Sequence, residues 1–68
     1  MDERKKKIIE LMLMLDVRVN DYKKLNKKYE ENKEKMKQEE LLEIENSFRK
    51  ILEDINKINK KLKELNKE

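Results

Sequence analysis

Eight apolar residues, Leu41, Ile44, Phe48, Ile51, Ile55, Ile58, Leu62 and Leu65, follow one another at alternating spacings of three and four. A period of 3.5 specifies an α-helix with one narrow apolar seam, and such a seam must be covered by another helix. In heptad terms Leu41, Phe48, Ile55 and Leu62 take position a, and Ile44, Ile51, Ile58 and Leu65 take position d. Between 41 and 65 only Leu42 and Leu52 are apolar outside the seam. Charge supports the same helix. Glu39, Glu40, Glu43 and Glu45 crowd its start, and Lys57, Lys60, Lys61, Lys63 and Lys67 its end, so both ends complement the helix macrodipole. A helix over about 37–67 is expected.

The first half is also helical in pattern, but its apolar residues spread around the cylinder. Ile8, Leu11, Met12, Leu15, Val19, Tyr22, Leu25 and Tyr29 form one stripe of threes and fours. Ile9, Leu13 and Val17 form a second, with Met14 beside it, and nine of the twelve residues from 8 to 19 are apolar. A helix apolar on more than one side is expected to be buried on more than one side. Leu11, Leu13, Leu15, Val17 and Val19 also alternate as a strand would, but no second β pattern exists to pair with them. The chain has neither Gly nor Pro to make a hairpin turn. Arg18 falls on a seam position between Leu15 and Tyr22, within i+3 reach of Asp21. It reads as a salt-bridged, snorkelling side chain or as a polar register-setter at an interface.

From Asn26 to Glu40 only Tyr29 and Met36 are apolar, so the seam nearly vanishes. Lys23, Lys24, Lys27 and Lys28 suggest a helix C-terminal turn, and Asn32 is the residue there most tolerant of a left-handed cap. Folding back at about 31–36 pairs Ile8 with Leu65 and Tyr29 with Leu41. The expected fold is therefore all-α: a single domain over 1–68 that forms an antiparallel helical hairpin, coiled-coil-like, with helices over about 3–30 and 37–67. The alternative is one continuous coiled-coil helix about 100 Å long, which the missing Gly and Pro permit. Ile at most d positions, and Leu52, Asn59, Asn66 and Ser47 where a two-stranded coil carries charge ladders, point to two hairpins dimerising as a four-helix bundle. A heteromeric helical partner covering residues 8–19 is the rival.

Composition removes most chemistry. The chain lacks His and Cys, which eliminates the usual zinc, haem and triad ligands and bases. Ser47 is the only serine and has no His to activate it. Neither an enzyme, a cofactor, a metal site nor a small-molecule substrate is expected. The basic run Arg4, Lys5, Lys6, Lys7 before an apolar stretch imitates a secretory leader, but Asp2, Glu3 and Glu10 interrupt it and no small-residue cleavage site follows. The stretch is too short to span a bilayer, so no membrane contact and a cytoplasmic location are expected.

What remains is a helical protein–protein interaction module: a small regulator, adaptor or chaperone that acts by coiled-coil packing. Its candidate interface residues are Ile9, Met12, Leu13, Met14, Val17 and Arg18, with the seam residues Leu41, Ile44, Phe48, Ile51, Ile55, Ile58, Leu62 and Leu65. The alternative function is RNA or DNA binding by a dimeric bundle through Arg4, Lys5, Lys6, Lys7, Lys57, Lys60 and Lys61. In the hairpin, residues 1–9 and 57–68 meet and carry a net charge of +5, while residues 29–45 carry −4. Of the 19 basic residues 16 are Lys, which gives little bidentate base reading, so nucleic acid is not favoured. In plan the hairpin resembles sporulation aspartyl-phosphate phosphatases, but their Ser-Gln-x-Leu-Asp run has no counterpart at Glu45-Asn46-Ser47-Phe48-Arg49, and no family is assigned.

Overall fold

A computed structural model describes residues 2–67 as two helices packed along their length, α1 (Glu3–Asn32) and α2 (Gln38–Asn66), joined by a short connection at 33–37. The Cα atoms span 51 × 15 × 12 Å, the proportions of two helices laid side by side. The chain is an antiparallel hairpin, not a continuous helix.

Each helix end has an identifiable cause. Asp2 caps α1, its carboxylate accepting from the Arg4 backbone N–H at 3.2 Å, and Glu3 lies in the positive first turn. At the other end the Lys cluster does not form the last turn, contrary to the sequence reading. The helix runs on through Glu30 and Glu31, leaving no basic residue in that turn. Its last carbonyls are met locally instead: Asn32 Nδ2 donates to Lys28 O at 2.8 Å, and the Lys33 N–H to Tyr29 O at 2.8 Å. Asn32 therefore serves through its amide and not through a left-handed backbone. No described residue has positive φ. The reversal starts from Lys33 in right-handed geometry (φ −53°, ψ −35°), is closed by Lys35 N–H to Asn32 O at 2.9 Å, and ends with Lys37 in extended geometry (φ −77°, ψ 160°). A chain without Gly turns by leaving the helix for the extended region, which carries no Cβ penalty. Met36 in the connection is half-buried.

Packing follows the 3.5-residue period on both arms. The α2 seam from Leu41 to Leu65 is buried or half-buried at every predicted position. On α1 the inward residues are Arg4, Ile8, Leu11, Leu15, Arg18, Tyr22, Leu25 and Tyr29, of which Tyr22 keeps one edge exposed. Met12 and Val19, expected in this seam, lie outside it: Met12 is 54% exposed, and Val19, as exposed as Tyr22, follows the half-buried Arg18 that takes the seam position. A single seam against one partner helix holds only a and d residues, and Met12 and Val19 each sit one residue beyond it. Tyr22 and Phe48 meet across the interface with ring centroids 5.1 Å apart and planes tilted by 59°, a favourable edge-on arrangement.

The buried apolar core among the described residues consists of Leu11, Ile44 and Ile58. Truncating Ile58 to Ala, 5% exposed, is expected to cost about 2–3 kcal/mol, while Leu13→Ala, 60% exposed, stays within about 0.5 kcal/mol. Urea melts of the two variants beside the parent check this, and equal losses would contradict the seam assignment.

Candidate interaction surface

The two helices divide the hairpin into two long sides flanking the seam. One side carries Lys7, Met14, Asp21 and Lys28 from α1 with Glu40, Ser47, Asp54 and Lys61 from α2. Its shallow grooves bear this out: Met14, Arg18, Asp54, Lys57 and Lys61 border one, Asp21, Lys28 and Ser47 another, and Lys7, Lys61 and Glu64 a third. Six of its eight flanking residues are charged. The opposite side carries Lys5, Met12, Val19 and Asn26 with Glu45, Leu52, Asn59 and Asn66, and only Lys5 and Glu45 are charged. Glu45 lines a groove there with Tyr29, Leu41 and Phe48.

The sequence-derived interface residues fall into two groups. Leu41, Ile44, Phe48, Ile51, Ile55, Ile58, Leu62 and Leu65 face α1 and are engaged within the chain. Ile9, Met12, Leu13, Met14 and Val17 are all exposed, and with Val19 they spread over the outward side of the N-terminal half of α1. Met14 borders the charged side with Val17 at its outer margin, Met12 borders the low-charge side with Ile9 at its outer margin, and Leu13 lies at the back of the helix. Leu42 and Leu52 on α2 are likewise exposed; the sequence reading used Leu52 as a seam-flanking residue in favour of a bundle but named neither among the interface residues. Leu52 lies one residue beyond the seam, level with Val19 now that the arms are paired.

Arg18 forms the expected ion pair with Asp21 and a second one across the hairpin. Its guanidinium is 2.8 Å from Asp21 Oδ2 on the same helix, and its Nε is 3.5 Å from Asp54 Oδ2 on α2. The polar break in the α1 seam is thus bridged across the hairpin by an ion triad at its rim. Arg4 has a comparable role at the open end. Its Nε donates to Leu65 O at 2.8 Å, a cation on one of the last carbonyls of α2. That bond brings the basic residues Lys5, Lys6 and Lys7 to the same end as Lys57, Lys60 and Lys61, while Arg4 itself is half-buried and committed to α2. No described helix is long and apolar enough to cross a membrane.

The chain matches no protein-family model, no curated protein and no solved structure.

Arg18 also gives a stability test. Its side chain is 43% exposed, and ion pairs that wet contribute about 0–1 kcal/mol. Arg18→Leu would complete an apolar seam between Leu15 and Tyr22, and the melting temperature is expected to rise by about 5 °C, roughly 1 kcal/mol for a domain of this size. A fall of that size in a thermal melt would show that the triad, and not apolar contact, holds the middle of the hairpin.

Proposed function

We propose that the protein is a non-enzymatic helical interaction module that acts by packing its outer helical surface against other helices, and that it self-associates, two hairpins forming a four-helix bundle. The observation that carries this reading is the exposed apolar surface on α1, with Leu42 and Leu52 on α2. A hairpin of this length has one seam and a three-residue core, and chains of this size lacking disulfides or metals are commonly completed by association. Apolar residues left in water over the outward side of a helix invite aggregation unless something covers them. Two hairpins in contact would shelter a large share of them.

A second reading has its own support. The Arg4–Leu65 bond gathers Lys5, Lys6, Lys7, Lys57, Lys60 and Lys61 at the open end, where they form a cationic tip suited to phosphate groups. The tip is almost all lysine and carries no aromatic residue for base stacking, so it favours sequence-independent contact at most.

Sedimentation at micromolar concentration is expected to return about 17 kDa, twice the chain mass of 8.5 kDa. A well-folded 8.5 kDa species alone would refute self-association. Titration with generic RNA and duplex DNA at two salt concentrations is expected to give dissociation constants weaker than about 1 μM. Tighter binding that weakens steeply with salt would favour the second reading.

A further inference from the structure

We infer that the low-charge side of the hairpin docks a second copy of the chain laid antiparallel to the first, with the twofold axis passing beside Val19 and Leu52. The inference rests on the reading of the protein as a self-associating module and specifies its face and its orientation.

The choice of face follows from exposure and charge. Of the exposed large apolar residues, Ile9, Met12, Val19, Tyr22, Leu42 and Leu52 belong to this side or its margin, whereas only Met14 and Val17 belong to the other side or its margin. The remaining flanking residues on this side are mainly the amides Asn26, Asn59 and Asn66, which can pair across an interface without the desolvation cost of a charge. The charged side would bring Asp21, Asp54, Lys28 and Lys61 into any such contact. The hairpin offers a face of 51 × 15 Å in Cα extent, on the order of the 800 Å² per partner that specific interfaces bury.

Orientation is decided by charge. The open end, residues 1–9 and 57–68, carries +5, and the turn end, residues 29–45, carries −4. Two copies side by side in the same direction would set like ends together. Two copies in opposite directions lay each basic end over the partner's acidic one. The apolar residues fit the same symmetry. Leu52 lies at the middle of α2 (Gln38–Asn66), and Val19 stands close to the middle of α1 (Glu3–Asn32). A twofold axis across the hairpin at that level sets both against their own copies. Ile9 lies towards the open end and Leu42 towards the turn, each about 13–15 Å from the middle at 1.5 Å per residue. Because that axis lays α1 on α1 and α2 on α2, Ile9 and Leu42 fall on opposite margins of the contact, one on each helix.

The test uses the full chain. Val19→Lys and Leu52→Lys are each expected to weaken the dimer at least tenfold in sedimentation with helicity retained, while Leu13→Lys with Val17→Lys leaves it intact. For orientation, a chain carrying a spin label on Lys5→Cys is mixed with an isotope-labelled parent chain, so that only contacts between copies are seen. Broadening of amides at 33–40 is expected. Broadening at 2–9 and 60–67 instead, a dimer that tightens as salt rises, or a dimer indifferent to both single substitutions would each overturn the antiparallel docking while leaving self-association standing. A parent chain that stays monomeric overturns both.

Discussion

The contact between two seams of 3.5-residue period governs everything else in this molecule. Each helix offers a strip two residues wide, and the antiparallel pairing of those strips supplies nearly all of the burial available to a chain of 68 residues. Because the strip is narrow, the buried core is three residues, and any apolar residue beyond positions a and d is left in water by the hairpin alone. The exposed surface on α1 is thus a direct consequence of the seam geometry. A helix with apolar residues on several sides, set against one partner, must present the remainder outward.

Polar groups in this fold act at the margins of the seam. Arg18 bridges Asp21 and Asp54, and Arg4 meets the Leu65 carbonyl at the open end. Both arginines occupy seam positions of α1 with their charges at the rim, where the aliphatic stem can pack and the guanidinium stays wet. Together with the Tyr22–Phe48 pair they tie α1 to α2 at three levels along the hairpin. A slip by one heptad would break all three at once. Apolar side chains of similar size discriminate registers poorly, and such specific pairs discriminate them well.

The helix α2 was legible in the sequence because its seam has no competing apolar residue on the same turns. Leu42 and Leu52 are too few to suggest another stripe, and the structure buries or half-buries each residue from Leu41 to Leu65 that the pattern singles out. In α1 the same reasoning misplaced Met12 and Val19. Nine apolar residues in twelve offer several lines of i+3 and i+4 neighbours, and apolarity alone cannot rank them. The true seam runs 4, 8, 11, 15, 18, 22, 25, 29, an unbroken alternation of four and three that includes two arginines. Reading the period before the polarity would have recovered it. The position of the reversal was signalled by the fading seam, but its backbone was not. Asn32 was the obvious left-handed cap, whereas the chain turns without any positive φ among the described residues because leaving the helix into the extended region at Lys37 suffices. At the surface, the contrast between a charged and a low-charge side emerges only once the register of α1 is known, since it depends on which residues flank the seam.

The central claim is that the two seams of one chain close on each other. The distance between the chain's two ends tests it most directly. Spin labels on Lys5→Cys and Asn66→Cys of a single chain, diluted into an excess of unlabelled protein so that contacts between copies do not contribute, report that distance by pulsed electron resonance. The hairpin, with Arg4 bonded to Leu65 O at 2.8 Å, predicts a separation below about 25 Å once label length is included. A separation near 90 Å, that of one continuous helix at 1.5 Å per residue, would contradict the account.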